Sequence, residues 1–534
     1  MKNKIFVLHT AILIIFIMLT SGCASKHIAM KPKVSESTVH TEHSVSLHGF
    51  FNTEVGTDAL QSGYYPLEYN LDAFAARIAY IKNAKKRLDL QYYLFVGDNI
   101  GFTMLKHILD AADRGVKVRI ILDDILMGKA SENLMAVDGH PNISIKLFNP
   151  TNFRGMLRWI EKAFHINTMG RRMHNKAIVV DNSVAIIGGR NIQDIYFSAD
   201  RDTVFIDNDI LIAGPLVAEI SNEFEIYWNS EVCIPMGKVS GETDLSLKEL
   251  HKEMDEYVKS FVYTDYRNAV NESTFAHKFR AREIDLIYGE GKLYFDLPTK
   301  VTTSEEETGS HLSEHMRPIV FGAKKRLWIV SPYFMPNEKF MKEIETLRQK
   351  GVDVAILTNS LATNDGIPVY SAYSKYHKEL LRLGVRLYEL SPHAFQHFFK
   401  DSHYKKGKIP RSSLHAKSMI IDDDTFIIGS ANMDPRSHKL NTELVAVINS
   451  HELVEIQKSV FKRMIAPENS YELGLEPTAN QKPYMTGMPI EKERVVWKGI
   501  VDNKPVKYYN DGNAGFWRVF GSNISAWFSI EGYL

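Results

Sequence analysis

Two copies of one motif contain the residues of this chain that are best suited to chemistry. Each copy begins His-x-Lys-x4-Asp, where x is any residue. After six further residues it continues as Gly-[Gly or Ser]-x-Asn. A pattern this long, repeated at identical spacing, is hard to obtain by chance and indicates two halves that share one active site. The candidate catalytic residues are His174, Lys176, Asp181, His415, Lys417 and Asp422.

The geometry of a strand separates these residues into two groups. Residues two apart in a strand share a face, so the histidine and the lysine of each copy point the same way. Asp181 and Asp422 lie five residues beyond each lysine, an odd offset, where each strand reaches a turn. We therefore expect the two aspartates to support the turn through hydrogen bonds and not to contact substrate directly.

The strand that returns from each turn ends in small residues followed by asparagine. Glycine at these positions allows the backbone to approach a ligand closely, and the asparagine side chains follow at once. Candidate substrate-binding residues are Gly188 and Asn191 in the first copy and Ser430 and Asn432 in the second.

Two imidazoles, two ammonium groups and two carboxamides that converge on one point suit a phosphodiester. The lysines and asparagines would neutralise and orient its anionic oxygens, as a metal does elsewhere. One histidine would attack phosphorus and form a covalent phosphohistidine, while the other would protonate the leaving alcohol and deprotonate the incoming one. A zinc site needs three or four ligands, and neither copy supplies a second histidine or a cysteine, so we expect no metal and no other cofactor.

A nucleophilic imidazole must be neutral and in the correct tautomer, so a carboxylate is expected to hold its other ring nitrogen. Glu443 is the candidate in the second half of the chain, and Asp207 and Asp209 are the candidates in the first. Spacing alone does not choose between the two aspartates. We favour Asp207 as the orienting residue.

The segments around the motifs alternate between helical and strand patterns in both halves. Residues 70–88 carry apolar side chains at helical spacing, and strands are predicted at 89–96 and at 116–124, the second of them rich in β-branched residues. The sequence AKKRLWIVSPYF in the second half repeats AKKRLDLQYYLF in the first. This β-α-β alternation indicates an α/β fold whose strands are mostly parallel and flanked by helices. We predict two homologous α/β domains, each a mixed sheet with helices, packed face to face around one shared active site.

The duplicated His-x-Lys-x4-Asp motif resembles the mark of the phospholipase D superfamily, and the resemblance covers residues 60–464. It implies two phospholipase D-like domains whose motifs meet at the seam, a reaction that needs no metal, and a phosphohistidine intermediate. By the usual assignment in that family, His174 would be the nucleophile and His415 the acid and base.

Within the superfamily the chain is most similar to bacterial cardiolipin synthases of the C type. The similarity rests on the sequences YFMP, SANMDPRSHKLNTE and YYPL. It implies transfer of a phosphatidyl group from one phospholipid, which can be phosphatidylethanolamine, to phosphatidylglycerol, with cardiolipin as the product. One departure is Gly188-Gly189 in place of Gly-Ser, and another is the N-terminus, which lacks the paired spanning helices of that family.

The N-terminus has the pattern of a secretory signal. Lys2 and Lys4 precede an apolar run at residues 5–20, which Ser21-Gly22-Cys23 follows. The last three residues resemble a bacterial lipoprotein box, in which Cys23 would be acylated as a lipid anchor; an uncleaved membrane anchor is the alternative. Both interpretations predict that the chain is anchored to a bacterial membrane and faces the periplasm. The sequence does not identify a protein partner.

The predicted organisation has six parts. The segment 237–291 is expected to be helical and to form part of a wall around substrate, and the tail is expected to contain a hairpin that turns at Asp502-Asn503. The Trp- and Phe-rich end of the tail would lie in a membrane interface or dock on the protein itself. The parts are a signal peptide (1–22), a flexible tether (23–59), domain 1 (60–236), a connector (237–291), domain 2 (292–466) and a C-terminal tail (467–534).

Composition helps to rank the alternative functions. The chain has 64 basic and 64 acidic side chains, so no net charge draws it toward nucleic acid, and no nucleic-acid partner is expected. A phosphatidyltransferase is therefore favoured over a secreted nucleic-acid phosphodiesterase. A hydrolytic phospholipase D would use the same residues, and a non-catalytic scaffold would be expected to have lost one motif copy. Cys233 is expected to be a buried apolar side chain.

Overall fold

The computed structural model describes residues 49–51, 60–126, 130–151, 170–239, 243–303, 311–394, 410–478, 493–511, 514–515 and 518. The predicted signal peptide, Cys23, most of the tether and nearly all of the aromatic C-terminal end lie outside these ranges. No helix within the described ranges combines the length and the apolar character needed to cross a membrane.

The described part of the chain contains twenty strands, and eighteen of them form one continuous sheet. The remaining two, β7 and β14, pair with each other. The strands are β1 (Gln61–Leu67), β2 (Arg87–Tyr92), β3 (Lys117–Asp123), β4 (Ile143–Phe148), β5 (Ala177–Val180), β6 (Val184–Gly188), β7 (Thr203–Ile206), β8 (Asp209–Ala213), β9 (Cys233–Pro235), β10 (Ile287–Phe295), β11 (Arg326–Val330), β12 (Asp353–Asn359), β13 (Arg386–Leu390), β14 (Arg411–Leu414), β15 (Ser418–Ile421), β16 (Thr425–Gly429), β17 (Leu444–Asn449), β18 (Ser470–Pro477), β19 (Glu493–Val501) and β20 (Lys504–Tyr508).

The order of the strands shows the duplication directly. From one edge to the other the sheet runs β9-β4-β3-β2-β5-β6-β8-β1-β10-β17-β16-β15-β11-β12-β13-β18-β19-β20. The order β4-β3-β2-β5-β6-β8-β1 of the first half is mirrored by β13-β12-β11-β15-β16-β17-β10 in the second. Strands β2, β3 and β4 are parallel, as are β11, β12 and β13, while the motif strands and their return strands are antiparallel. The predicted α/β fold with a mixed sheet is confirmed, but the expectation of mostly parallel strands is wrong, because the motif strands, their return strands and the seam pair in antiparallel fashion.

The seam between the halves is the antiparallel pair β1–β10, in which Gln61 faces Glu290 and Tyr64 faces Ile287. Strand β10 thus begins inside the segment that the sequence assigned to the connector. Behind the seam, one apolar core takes side chains from both halves, for example Ile187 and Ile212 from the first and Ile428 and Ile448 from the second. The halves therefore share both a sheet and a core.

Most helices cover the faces of the sheet that are turned away from the shared core, while α4 and α14 pack on that core. In α1, Phe74, Ile78 and Ile81 recur at helical spacing and are buried, as the pattern predicts. Short 3-10 helices span Asp124–Leu126, Asp194–Tyr196 and Pro298–Val301. The helices are α1 (Asn70–Asn83), α2 (Asn99–Asp113), α3 (Ala130–Asp138), α4 (Leu216–Trp228), α5 (Met236–Val239), α6 (Leu247–Tyr257), α7 (Phe261–Asn271), α8 (Thr274–Ala281), α9 (His311–Val320), α10 (Glu338–Gln349), α11 (Ile367–Ser374), α12 (His377–Arg382), α13 (Pro435–Lys439) and α14 (His451–Met464).

The connector is helical, as its sequence predicts, but it does not wall the site. Helices α6, α7 and α8 each begin after a serine whose side chain accepts a hydrogen bond from the backbone three residues on. Their apolar side chains, including Met254, Tyr266 and Phe275, join the outer core of the first half around α1. The expectation of a substrate wall is therefore wrong for these helices, because their apolar faces are used to cover α1.

The tail contains the predicted hairpin. Strands β19 and β20 are joined at Asp502 and Asn503, whose φ angles are 50° and 58°. Positive φ at both central residues is the two-residue turn that suits the twist of a hairpin. The preceding strand β18 pairs with β13, so this part of the tail extends the sheet of the second half.

Candidate active site

The backbone that precedes each motif crosses to the other half of the molecule. The amide of His174 donates to the carbonyl of Thr442 (2.8 Å), and the amide of His415 donates to the carbonyl of Ile206 (2.8 Å). Before His415, strand β14 runs parallel to β7 of the first half. Each motif histidine is thus fixed by main-chain hydrogen bonds to the half that does not contain it.

The ring of His174 is held by a carboxylate of the second half. Its Nδ1 atom lies 2.9 Å from both carboxylate oxygens of Glu443. Ser430 and Ser437 donate their hydroxyl groups to the same carboxylate, Ser437 at 2.7 Å. Because Glu443 is completely buried, these contacts fix one orientation of the acid and, through it, of the imidazole.

The ring of His415 is held in the same way by a carboxylate of the first half. Its Nδ1 atom lies 2.6 Å from Oδ2 of Asp207, whose other oxygen accepts from the amide of Asn208 at 2.8 Å. A β-carbon on Gly189 would lie 2.1 Å from that carboxylate. The glycine that replaces serine in the first copy therefore leaves room for Asp207, whereas Ser430 at the matching position binds Glu443.

Asp209, the alternative that the sequence left open, has different partners. Its carboxylate accepts from Arg77 at 2.8 Å and from Arg190 at 3.1 Å, and all three side chains are buried. The geometry thus places Asp207 at the imidazole and Asp209 in a separate buried charge cluster.

Both motif lysines are buried beside the histidines. Lys176 donates to the carbonyl of His174 and Lys417 to the carbonyl of His415, and Nζ of Lys417 lies 2.9 Å from Nδ1 of His415. Nζ of Lys176 lies 5.4 Å from the centre of the Tyr93 ring. An ammonium group has three donors, so each lysine keeps donors for the oxygens of an anion.

Burial sets the charge state of these groups. It lowers the pKa of His174 to about 4 and, with the help of Lys417, that of His415 to about 3, so both imidazoles are neutral near pH 7. Burial also lowers the pKa of Lys176 to about 7 and that of Lys417 to about 8. For Glu443, burial opposes ionisation, but His174 and Lys176 outweigh it and lower the pKa. A neutral imidazole on an ionised carboxylate is ready to act as a nucleophile or a base.

The lowered lysine pKa values predict an unusual pH profile. Because a lysine must be protonated to bind an anion, kcat/KM should fall as pH rises through about 7 to 8, instead of near 10. The candidate nucleophile His174 must be neutral and loses its proton near pH 4, so the acid limb should lie below pH 5. In the Lys176→Arg variant the arginine stays protonated, so the loss of kcat/KM near pH 7 that deprotonation of Lys176 causes should disappear. A kcat/KM that stays constant up to pH 9 would contradict this account.

The motif aspartates do not reach the reacting groups. Asp181 accepts hydrogen bonds from the backbone amides of Lys85, Lys86 and Arg87, and Asp422 accepts from those of residues 324–326. Both aspartates have positive φ, at 52° and 54°. The prediction that these two aspartates are catalytic is therefore wrong. Each joins a turn to the start of a neighbouring strand, as the odd spacing indicated.

The structure gives different surroundings to the four predicted substrate-binding residues. A β-carbon on Gly188 would lie 2.2 Å from Asp209, so this glycine allows two strands, and not a ligand, to approach. Asn191 accepts from the amide of Leu94 and donates to the hydroxyl of Tyr196 at 2.9 Å. Its carboxamide, like the Ser430 hydroxyl on Glu443, is therefore occupied by the protein itself.

Asn432 alone among these four has a free polar atom. Its Oδ1 atom is buried, and no described residue hydrogen-bonds to it. Asn432 is thus the member of the predicted set that remains available for substrate.

Sequence reasoning missed several groups around the imidazoles. Phe205 stacks on His415 with ring centres 5.2 Å apart, and the hydroxyl of Tyr196 lies 3.4 Å from Nε2 of that histidine. Tyr93 packs edge-on against His174. Tyr196 and Ser437 each lie five residues after the motif asparagine, so alignment of the two copies beyond that asparagine would have pointed to both.

The described residues contain no group of three histidine, cysteine, aspartate or glutamate side chains arranged to hold a metal ion. The free Cys233 is buried and lies in a separate apolar cluster with Phe148 and Trp228. The chemistry available at the site thus comes from two imidazoles on carboxylates and two buried ammonium groups, an arrangement suited to a phosphodiester.

Comparison with known proteins identifies the family. The family described as "Cardiolipin synthase, PLD-like domain" matches residues 78–228 and 319–465, one match in each half. Cardiolipin synthase C of Escherichia coli (strain K12) is 36% identical over 398 residues, which cover 74% of this chain and 83% of that protein. Cardiolipin synthase 1 of Bacillus anthracis is 25% identical over 439 residues, covering 82% of this chain and 72% of that protein.

A solved structure has the same fold. The crystal structure of the phosphatidylserine synthase of Haemophilus influenzae Rd KW20 superposes with a TM-score of 0.52 and 15% identity, covering 75% of this chain and 86% of that one. The family matches confirm the resemblance that the duplicated motif indicated. The chain therefore belongs to the phospholipase D-like cardiolipin synthase family and is a phospholipase D-type phosphatidyltransferase.

Proposed function

We propose that this protein makes cardiolipin by moving a phosphatidyl group from one phospholipid to phosphatidylglycerol, through a phosphohistidine on His174. The observation that carries the proposal is the difference between the two imidazoles. Glu443 holds Nδ1 of His174, and no described residue hydrogen-bonds to its Nε2 atom. The Nε2 atom of His415 instead lies 3.4 Å from the hydroxyl of Tyr196.

In the first step His174 is the nucleophile. With its Nδ1 proton directed at Glu443, the lone pair on Nε2 attacks phosphorus, and a nitrogen–phosphorus bond forms as the bond to the leaving alcohol breaks. His415 gives that alcohol its proton from Nε2. Burial and, after it, the charge of Lys417 keep the pKa of His415 low; a bound phosphodiester anion pairs with Lys417 and removes the second cause, while Asp207 stabilises the imidazolium ion.

The lysines and Asn432 position the phosphoryl group. Lys176 lies beside His174 and Lys417 beside His415. Both lysines neutralise the negative charge that grows on the non-bridging oxygens in the transition state. The carboxamide of Asn432 donates to a phosphoryl oxygen through Nδ2, while its Oδ1 atom, which has no partner among the described residues, is free to accept from a hydroxyl group of the lipid.

In the second step an alcohol replaces the histidine. The hydroxyl of phosphatidylglycerol attacks phosphorus, its proton passes to Nε2 of His415, and the bond between phosphorus and His174 breaks. Water in the same position would give phosphatidic acid instead, so the acceptor alone separates a transferase from a hydrolase. The cardiolipin synthases among the relatives support the lipid acceptor.

The membrane tether and the domain limits belong to the same proposal. The charged and apolar N-terminal sequence that ends in Ser21-Gly22-Cys23 supports acylation of Cys23, with the folded part facing the periplasm. The folded part would then comprise domains at 60–236 and 292–466. Labelled palmitate is expected in the parent protein and not in the Cys23→Ser variant. Equal labelling of the two proteins would refute the lipid anchor.

Purified protein in mixed micelles of phosphatidylglycerol, with and without phosphatidylethanolamine, provides the test of function. We expect cardiolipin from the parent protein and none from His174→Ala or His415→Ala. A higher yield with phosphatidylethanolamine present would identify it as a donor. Phosphatidic acid without cardiolipin would show a hydrolase, and no lipid turnover at all would reject the proposal in favour of another phosphodiester.

A further inference from the structure

A cavity of about 420 Å³ lies in the second half, between helices α9, α10 and α13 and the motif strands β15 and β16. Its volume is within the range of small-molecule sites, which are mostly apolar with a few polar groups. More than half of the residues that line it are apolar, and several of these are almost completely buried. They include Leu312, Val320, Phe334, Phe340, Ile427 and Val445.

One end of this cavity is part of the candidate active site. Lys417 and Asn432 line it there, and Nζ of Lys417 lies 2.9 Å from Nδ1 of His415. The buried Oδ1 atom of Asn432 has no hydrogen-bond partner among the described residues. A ligand that fills the cavity would therefore bring a polar, anionic group to Lys417 and an apolar group to the space beyond it.

Charged side chains also line the cavity. Arg317 and Glu343 form an ion pair there, and Lys339 lies on the same side of α10. The lining thus combines an apolar surface with the catalytic lysine and a few charged side chains. Such a space favours a slender apolar chain over a nucleobase, since the apolar part of the lining offers a base no hydrogen-bond partners.

We propose that this cavity binds one acyl chain of the phospholipid whose phosphodiester lies against Lys417 and His415. The inference rests on the proposed function, because it assumes a phospholipid substrate, and it adds where the lipid binds and how it is oriented. An acyl chain in the second half fixes the direction of the phosphodiester between His174 and His415. Because the phosphatidyl group passes to His174, the oxygen that faces His415 and leaves as the alcohol is the headgroup ester oxygen.

The test compares two buried alanines of the second half. Ala372 lines the cavity and is 6% exposed, whereas Ala323 is 4% exposed and does not line it. Activity is measured on dioleoyl and on dihexanoyl phosphatidylglycerol in identical micelles, and the ratio of the two rates cancels any loss of folded protein. We expect Ala372→Phe to lower the long-to-short ratio about tenfold, the equivalent of roughly two buried methylene groups, and Ala323→Phe to leave it unchanged.

The outcomes separate this inference from the proposed function. An unchanged ratio in folded Ala372→Phe overturns the cavity assignment while cardiolipin formation stands. A parent protein that turns over neither lipid overturns the proposed function itself.

A second measurement does not depend on the stability of Ala372→Phe. His174→Ala protein is irradiated with phosphatidylglycerol that carries a diazirine at the end of one acyl chain, and the labelled peptides are mapped. Labels in α9 or α10 support the assignment, and labels confined to other segments overturn it.

Discussion

His415→Ala protein is expected to stop halfway through the reaction, with the phosphatidyl group bound to His174. The substrate for this experiment is a phosphatidyl ester of p-nitrophenol, which leaves without needing a proton. His174 keeps its contacts with Glu443 in this variant, so the first step should proceed. The second step needs His415 as base and should slow by about 10²–10⁴-fold. One equivalent of nitrophenol should therefore appear in a burst, and mass spectrometry should locate the modification on His174.

His174→Ala is the matched control, and it should give no burst with the same ester. The opposite pattern, a burst in His174→Ala and none in His415→Ala, would make His415 the nucleophile. Equal bursts in both variants would show that neither imidazole has a fixed role. Each result is read within one turnover, so slow product release does not affect it.

Glu443→Gln and Asp207→Asn should each lower kcat by about 10³–10⁴-fold, the scale seen when a triad carboxylate becomes an amide. An amide can donate to Nδ1 of the imidazole, which moves the ring proton to Nε2 and removes the lone pair that must react. Because Glu443 holds His174, Glu443→Gln should abolish the nitrophenol burst. Because Asp207 holds His415, Asp207→Asn should keep the burst and lose the second step.

Asp209→Asn provides a control for the loss of a buried acid. Asp209 binds Arg77 and Arg190 and does not reach an imidazole, so its loss should lower the melting temperature, with a cost of about 3–5 kcal/mol for a broken buried ion pair. The kcat of the protein that remains folded should stay near that of the parent. If kcat of Asp209→Asn fell as far as kcat of Asp207→Asn, the different bursts of the Glu443 and Asp207 variants would reflect general damage to the core.

The motif itself carries much of what the sequence could predict. The spacing of histidine, lysine and aspartate is a property of short strands and turns, and local geometry determines it. It correctly placed Asp181 and Asp422 at turns away from the reacting groups. The hairpin at Asp502-Asn503 was predictable for the same reason, since two adjacent residues decide the turn.

Other features depend on contacts between distant segments, and these could not be read in advance. Gly188 looked like a place for a ligand, but the side chain of Asp209 from a neighbouring strand uses that space. The connector looked like a wall of the site because its charge pattern does not reveal which helix its apolar face covers. The cavity beside Lys417 is formed by α9, α10 and α13, whose approach depends on packing across the whole second half.

The exchange of carboxylates between the halves has a consequence for the chain while it is being made. A ribosome that has reached residue 300 has already produced His174 and Lys176, but not Glu443 or Thr442, which hold that histidine. The unfinished protein therefore has no oriented nucleophile and leaves the lipids around it intact. Phosphatidyl transfer can begin only after Thr442 and Glu443 have been made and β17 has joined the sheet, so an incomplete chain is inactive.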